Sequence, residues 1–328
     1  MRNLRLLLAF CVLLICTLAG GAQLRQVGII DMPGPPGFDA AAFAAGKLVL
    51  AHTRAGTLDI FDPAKRRTIA QVKGLELPHG LAVDEQAGRI FAACAGSHSI
   101  AVVSAADWSI SGNIELPADP DSLLFVPLTR TLFAASSHSD AVLAIDPSSH
   151  ATRTAAVPGS PQQLAWDAEK NQLYVTIEAR NAVEVLTPEL KPARTLELQG
   201  SMPTGIAFDP KMRHLFVAVR YAVLVLEADS GHEIARIPAP AGVDQVWFDD
   251  FTRSAYAASS GGTVTMIGQE NGRYTAQQEL NTAVRGHNLA FDPARSLLFV
   301  PGGFEGRSKL VILKRLETPP PTAKAALR

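Results

Sequence analysis

The sequence has almost no net charge and few cysteines, and each shortage excludes some classes of function. The 328 residues carry a formal net charge of −1, which becomes about −3 without residues 1–22, because Arg2 and Arg5 fall there and no acidic residue does. A partner dominated by phosphate calls for a basic face, so we expect no nucleic-acid partner. Only Cys94 lies beyond residue 22, so no intrachain disulfide can form there. Its place at a strand end indicates a small buried hydrophobe.

Motifs of several enzyme classes are also missing. The chain has no Gly-x-Ser-x-Gly nucleophile elbow, no phosphate-binding loop, no Gly-x-Gly-x-x-Gly, no Cys-x-x-Cys-His haem attachment and no EF-hand loop. His232-Glu233 opens like the helix of a zinc protease, but the second histidine is absent. The sequence therefore favours a binding protein over an enzyme without excluding catalysis.

The N-terminal segment has the pattern of an export signal. Arg2 and Arg5 precede an apolar run from Leu6 to Leu18, and residues 20–22 are the small residues that a signal peptidase needs. A membrane-spanning helix needs about 20 apolar residues, so this run is too short, and no later segment approaches that length. We expect cleavage after residue 22 and a periplasmic or secreted mature chain without a transmembrane segment.

The strongest pattern is a repeat. An aromatic or aliphatic pair followed by small residues returns seven times, at intervals of 40 to 43 residues. The second residue of the pair stands at Val49, Phe91, Phe133, Tyr174, Phe216, Tyr256 and Phe299. A period of about 40–45 residues with strand-like content is typical of a propeller blade. Each period holds four short strand patterns, in blade two at 81–83, 90–93, 100–103 and 111–116. We predict an all-β, seven-bladed β-propeller with four-stranded antiparallel blades.

A second periodic feature lies in the first strand of each blade. A bulky residue recurs at one depth in blades two to seven: Val83, Phe125, Trp166, Phe208, Phe248 and Phe291. We expect large side chains at one depth to pack neighbouring blades face to face. An aspartate-containing turn usually follows, as at Asp167, Asp209 and Asp292, and we interpret these aspartates as turn formers.

The two ends of the repeat region predict how the ring closes. Residues 25–31 resemble outer strands found elsewhere, such as 68–72 and 233–237, and no comparable strand follows Leu313. We therefore predict that residues 25–31 form the outermost strand of the last blade and remove an exposed seam. The expected organisation is a signal peptide at 1–22, the propeller at 23–317 and a disordered, proline-rich tail at 318–328.

Several phrases resemble those of a known family. Tyr174-Val175-Thr176-Ile177 is close to the tetrapeptide that names the YVTN repeat, and Phe91-Ala92-Ala93 is a degenerate copy of it. Residues 77–84, Leu-Pro-His-Gly-Leu-Ala-Val-Asp, are similar to lead-in phrases of YncE-like seven-bladed propellers. The resemblance covers almost all of the chain after residue 22. It implies the fold, whereas relatives include lactone hydrolases, the propeller that holds haem d1 in nitrite reductases, and binding proteins without known activity.

Blade topology predicts which polar residues share one face of the disc. The start of the first strand, the end of the second and the start of the third lie on that face. Residues two positions before the first apolar anchor of each blade should ring the mouth of the axial channel: Gly37, His79, Asp121, Gln162, Thr204, Asp244 and His287. His79, His287, Asp121 and Asp244 are candidate ligand-binding residues. The alternative is that they are loop side chains bonded to nearby backbone.

Turns between the second and third strands add polar residues to the same face. They include His52, His98, His138, Arg180 and Arg220. With His79 and His287, the histidines make a set of five. Imidazole binds borderline metals and haem iron, so a divalent metal or a haem is a candidate cofactor. Arg180 and Arg220 are candidate clamps for an anion, or else solvated surface charges.

Three functions are compatible with these patterns. The first is a non-catalytic, monomeric binding or scaffold protein whose small-molecule or protein partner meets the mouth. The second is a metal-assisted lactone or ester hydrolase. The asparagine ligands of such propellers are represented near the axis by Asn181 and Asn288 only. The third is an accessory protein that handles haem d1 or copper. The absence of a nucleophile motif favours the first.

Overall fold

The computed structural model describes residues 22–317, and within this range the chain forms seven four-stranded antiparallel sheets. The first strand, β1 (Gln23–Asp31), belongs to the last sheet. Blades one and two contain β2 (Ala40–Ala44), β3 (Lys47–His52), β4 (Thr57–Asp62), β5 (Arg67–Lys73), β6 (Pro78–Asp84), β7 (Arg89–Cys94), β8 (Ser99–Ser104) and β9 (Ile110–Glu115). Blades three and four contain β10 (Ser122–Val126), β11 (Thr131–Ser136), β12 (Ala141–Ile145), β13 (Thr152–Ala156), β14 (Pro161–Asp167), β15 (Gln172–Ile177), β16 (Ala182–Leu186) and β17 (Pro192–Glu197).

The remaining blades repeat this order. Blades five and six contain β18 (Ile206–Asp209), β19 (His214–Val219), β20 (Ala222–Glu227), β21 (Glu233–Pro238), β22 (Val246–Asp249), β23 (Ser254–Ser259), β24 (Thr263–Glu270) and β25 (Arg273–Asn281). Blade seven contains β26 (Ala290–Asp292), β27 (Leu297–Phe304) and β28 (Arg307–Leu316). Short 3-10 helices at Thr53–Ala55, Ala95–Ser97 and Glu178–Arg180 link second to third strands. The predicted fold class is confirmed.

Two sequence predictions concern chain ends that lie outside the described residues. The predicted signal peptide falls there except for Ala22, and the predicted tail at 318–328 falls there entirely. Within residues 22–317, no helix is long and apolar enough to cross a bilayer. Cys94 is a free cysteine with 2% of its surface exposed, as predicted.

The apolar core lies between the blades. Seven clusters of buried apolar residues are present in the described range, and each joins two neighbouring blades. In six of these clusters, a second-strand aromatic ring packs on the bulky first-strand residue of the next blade. The ring centroids are 5.7 Å apart for Phe91 and Phe125 and 5.2 Å apart for Phe216 and Phe248. The same pairing joins Phe133 to Trp166, Tyr174 to Phe208, Tyr256 to Phe291, and Phe299 to Phe43. The two periodic features of the sequence are therefore the two halves of one contact.

The turn aspartates also connect neighbouring blades. Asp167 Oδ1 accepts hydrogen bonds from the amides of Glu169 and Lys170 at 3.0 and 3.1 Å, which confirms its turn-forming role. Its Oδ2 accepts a hydrogen bond at 2.7 Å from Arg213 of the next blade. Burial alone would raise the pKa of Asp167, but the bond from Arg213 and the turn amides lower it overall.

Strand β1 closes the ring. It pairs antiparallel with β28 from Gln23 to Asp31, so the N-terminal and C-terminal strands lie side by side in blade seven. The side chain of Gln278 in blade six accepts a hydrogen bond from the Leu24 amide at 2.6 Å and donates one to the Leu24 carbonyl at 2.9 Å. The predicted closure is confirmed, and the strand begins two residues earlier than the predicted 25–31.

A pair of substitutions in β1 tests the closure. Leu24 is 3% exposed and packs in the cluster between blades six and seven, whereas Ile29 is 44% exposed. Leu24→Ala should lower the free energy of unfolding by about 2–4 kcal/mol, because it leaves a cavity in that cluster. Ile29→Ala in the same strand should change it by about 0.5 kcal/mol or less. Urea denaturation followed by circular dichroism measures both, and equal losses would contradict a closing role for β1.

Candidate functional site

Strand register identifies the residues that surround the channel mouth. In blade two, Ala82 pairs with the repeat aromatic Phe91, and His79 precedes Ala82 by three positions. In blade one, Ala42 pairs with Val49, so Asp39 takes the place of His79. The same register in every blade gives the set that we call the mouth ring: Asp39, His79, Asp121, Gln162, Thr204, Asp244 and His287.

The prediction of Gly37 as the blade-one member of this ring is wrong. In blade two, four residues separate the paired ends Asp84 and Arg89, whereas in blade one only Ala45 and Gly46 lie between the paired strand ends. In the other blades a fixed number of residues separates the mouth residue from the repeat aromatic. Applied to Val49 in blade one, that number gives a position two residues too early. Positive φ angles at Ala45 (49°) and Gly46 (70°) mark this tight turn. A two-residue turn is the signal that sequence reasoning missed.

Five neighbouring members of the mouth ring alternate between carboxylate and imidazole. In order around the axis they are Asp244, His287, Asp39, His79 and Asp121, and Gln162 and Thr204 complete the ring. His79 Nδ1 contacts Asp39 and lies 3.2 Å from Asp121 Oδ1. His287 Nδ1 contacts Asp244. The structure thus brings together all four predicted ligand-binding residues of the ring and adds Asp39.

These contacts set the charge of the ring. Burial alone would lower the pKa of His79, but its hydrogen bonds to Asp121 and Asp39 and their charges raise the pKa to about 10. Burial alone would also lower the pKa of His287, but the hydrogen bond to Asp244 raises it overall. The pKa of Asp39 is lowered despite its burial, because His79 is its partner. At neutral pH His79 is a cation between two carboxylates.

Hydrogen bonds between neighbouring blades fix the backbone of the mouth. The Gly80 amide donates to the Asp121 carbonyl at 2.7 Å, and a Cβ at Gly80 would lie 2.6 Å from the same oxygen. The Ser122 hydroxyl donates to the Gln162 carbonyl, and the Thr204 hydroxyl to the Val243 carbonyl, both at 2.5 Å. Hydrogen bonds to main-chain carbonyls of the next blade therefore hold this part of the mouth in place.

A cavity of about 620 Å³ lies on the axis under the mouth ring. Six of the seven ring residues line it, all except His287. Further along the first strands, its wall contains aliphatic side chains and then Trp166, Phe208 and Trp247. The cavity is thus polar and charged at the mouth and aromatic at depth, and its volume suits a small molecule.

The other predicted histidines lie apart from the ring. His52 is fully buried in blade one and stacks on Phe38, with ring centroids 4.1 Å apart. Its Nδ1 lies 2.8 Å from Asp59, and its Nε2 donates at 2.6 Å to the Pro35 carbonyl. Burial alone would lower the pKa of His52, but these partners raise it. Both ring nitrogens are therefore occupied by protein groups.

His98 and His138 lie in exposed turns, and His138 Nδ1 is 3.2 Å from Asp119. The structure does not gather the five histidines into one cluster. Within residues 22–317, no three His, Cys, Asp or Glu side chains are grouped as metal ligands. Metal binding by these histidines stays a prediction.

The two predicted anion clamps also lie apart from the mouth ring. Arg180 pairs with Glu184 at 3.4 Å, and the Arg220 guanidinium lies 5.6 Å from the ring centroid of Tyr221. Neither lines the axial cavity.

The raised pKa of His79 predicts a pH-dependent stability. A pKa raised from 6.5 to about 10 on folding means that protonated His79 stabilises the fold fully below pH 6.5, and that this contribution is lost as the pH approaches 10. The melting temperature of the wild type should exceed that of His79→Asn at pH 6 by a few degrees, at roughly 2–4 °C per kcal/mol, and the gap should close by pH 10. Exposed His98→Asn is the control and should follow the wild type. A melting-temperature difference between wild type and His79→Asn that stays constant with pH would contradict the raised pKa of His79.

A glycine pair tests the close approach of the blades at the mouth. Gly80→Ala should lower the free energy of unfolding by about 1–3 kcal/mol, because the new methyl group meets the Asp121 carbonyl. Gly112→Ala, in the outer strand β9 of the same blade, meets nothing within 4 Å and should have little effect. Thermal denaturation compares the two. Equal losses of stability in the two variants would show that the backbone at the mouth adjusts to the added methyl group at little cost.

Comparison with known proteins establishes the fold. No protein-family profile and no curated protein match the sequence. Solved structures with similar coordinates include a chain of hydrazine synthase from Kuenenia stuttgartiensis, with a TM-score of 0.75, 14% identity, and coverage of 88% of this chain and 97% of that one. The β-propeller domain of Cps50 (Swd1) from Myceliophteria thermophila has a TM-score of 0.72 at 12% identity, covering 89% and 99%. Virginiamycin B lyase from Staphylococcus aureus has a TM-score of 0.72 at 13% identity, covering 89% and 99%. Likenesses at this level of identity show the architecture alone: the chain is a seven-bladed β-propeller.

Proposed function

We propose that this chain is a periplasmic or secreted binding protein of the YVTN-repeat, YncE-like type, and that its ligand is a small organic cation. The ligand enters through the mouth ring and occupies the axial cavity. One observation carries the proposal: the same cavity is lined by carboxylates at its mouth and by tryptophans at depth. The export pattern of residues 1–22 supports the location, and the repeat phrases support the family. A binding role is consistent with the propeller fold.

Carboxylates outnumber imidazoles in the mouth ring. Asp39, Asp121 and Asp244 keep 30%, 30% and 45% of their side-chain surface exposed while each contacts a histidine. Even with both histidines protonated, the ring carries one net negative charge. Ammonium groups form strong, short hydrogen bonds to carboxylates. The exposed carboxylate oxygens therefore favour a ligand that carries a positive charge.

The depth of the cavity suits the same ligand. Trp166 and Trp247 line the cavity, and both are partly buried. A cation over the face of a tryptophan gains about 0.5–2 kcal/mol, depending on how far it is desolvated. Aliphatic wall residues such as Leu164 and Ile206 would contact the body of the ligand. An organic cation matches both ends of the cavity.

Catalysis is supported less well by the same geometry. His79, with a pKa of about 10, is protonated near neutral pH and is a poor general base. The asparagines considered for a hydrolase make backbone contacts: Asn181 Oδ1 accepts from the Met202 amide at 3.0 Å, and Asn288 Nδ2 donates to the Phe38 carbonyl at 3.4 Å. These contacts favour binding over lactone or ester hydrolysis.

Intrinsic tryptophan fluorescence tests the proposal, because the chain has three tryptophans and two line the cavity. Titration with choline and with putrescine should give a saturable change in the wild type and in Trp108→Phe, since Trp108 lies in the turn between β8 and β9. Trp247→Phe should reduce the change. Asp39→Asn should weaken binding about tenfold or more, because it removes one charged acceptor.

Other outcomes would reject the proposal. Absence of binding by any organic cation, together with chelator-sensitive hydrolysis of lactones, would favour the hydrolase. An absorbance spectrum of the protein from its native host with haem or copper bands would favour the accessory role in haem d1 or copper handling. Equal effects of Trp108→Phe and Trp247→Phe would move the ligand away from the axial cavity.

A further inference from the structure

A second cavity, of about 680 Å³, opens beside the mouth ring between the last blade and the loop that precedes β2. We call it the side pocket. The residues of its wall that bear on ligand chemistry are Phe38, Arg285, His287, Pro301, Phe304 and Glu305. Only His287 belongs also to the mouth ring. The side pocket therefore has its own set of side chains.

The backbone aims Arg285 into the side pocket. Arg285 forms a β-bridge with Gly303, with hydrogen bonds of 2.9 and 3.0 Å in the two directions. Directly opposed residues of an antiparallel pair project to the same side. A Cβ on Gly303 would lie 2.9 Å from Pro36 Cβ, so the Arg285 side chain leaves on the Pro36 side, which is the wall of the pocket. None of the ion pairs within residues 22–317 involves this exposed arginine.

His287 supplies a second donor. Its contacts with Asp244 and Asn288 both use Nδ1, and within the described part of the chain no hydrogen bond uses Nε2, which is therefore open to a ligand. Burial alone would lower the pKa of His287, but the bond to Asp244 and the charges of Asp244 and Asp39 raise it. The imidazolium form is thus favoured, and among residues 22–317 Glu305 is the one acidic residue that lines the pocket.

The rest of the wall is apolar. Phe38 is almost fully buried, whereas Phe304 keeps 39% of its surface exposed at the end of β27. Pro301 continues the apolar surface, and Gly302 and Gly303 add backbone without side chains. An aromatic or branched body of modest size can contact these residues while a charged end reaches Arg285.

We propose that the side pocket binds an aromatic or branched carboxylate, with Arg285 and His287 holding the carboxylate and Phe38 and Phe304 contacting the apolar body. The arginine fork matches the two oxygens of a carboxylate. The same chemistry is presented by a free organic acid and by the C-terminal residue of a peptide. The site is inferred separately from the organic cation proposed for the axial cavity, because the side pocket has its own lining and takes a ligand of opposite charge.

Isothermal titration calorimetry with benzoate tests the site. Benzoate should bind the wild type, and the neutral isostere benzamide should bind about tenfold more weakly or not at all. Arg285→Gln should weaken benzoate binding by a similar factor. Arg273→Gln, an exposed arginine at the start of β25, is the matched control and should leave it unchanged. A peptide ending in phenylalanine, with a free or an amidated C-terminus, distinguishes a chain end from a free acid.

Further measurements keep the test decisive. Arg285→Gln should melt like the wild type, because its bridge to Gly303 is made by main-chain atoms. Phe304→Ala should independently weaken benzoate, and Trp247→Phe in the axial cavity should not, so the two proposals fail separately. Equal benzoate affinity in Arg285→Gln and Arg273→Gln, or equal affinity for benzoate and benzamide, would overturn the site.

Discussion

The aromatic contact between neighbouring blades is the constraint on which the rest of the structure depends. A four-stranded blade cannot bury both of its faces alone, so each second-strand ring, such as Phe91, packs on a first-strand residue of the next blade, here Phe125. This contact fixes how deep each first strand lies along the axis. The mouth-ring residue stands a few positions before that contact, within the first strand or just ahead of it. The packing of the core therefore also sets the height of every charged group at the mouth.

Ring closure assembles the charged part of the site. The alternating arc runs through blades six, seven, one, two and three, so it crosses the seam between the last blade and the first. His287 and Asp39 come from opposite ends of the propeller sequence, and each affects the other's charge across that seam. Strand β1 holds the seam shut through its ladder with β28. The proposed binding site at the mouth would thus require a closed ring, so closure matters for the proposed function as well as for the fold.

The architecture could be predicted from the sequence because every repeat encodes the same packing contact between neighbouring blades. Most of the mouth ring could be located for the same reason. Strand bounds were less predictable. β6 begins at Pro78, three residues before the predicted start at 81, because Pro78 pairs with Cys94 although residues 78–80 lack an apolar strand pattern. Asp39 was missed because a shorter turn changed the spacing. The burial of His52 against Asp59 and Pro35 depends on loop geometry that no periodicity encodes. Arg285 lacks any pattern of its own, because its direction is set by a bridge to a residue distant in sequence.

The pair formed by His287 and Asp244 joins the two cavities. Asp244 lines the axial cavity, and His287 lines the side pocket. A carboxylate at His287 Nε2 and a cation beside Asp244 would lie on opposite sides of one imidazolium–carboxylate pair. Each ligand would then stabilise the charge separation that the other requires, and opposite charges this close attract in a site of reduced dielectric constant. Such coupling is reciprocal by thermodynamic necessity, so neither cavity can be understood from its own lining alone.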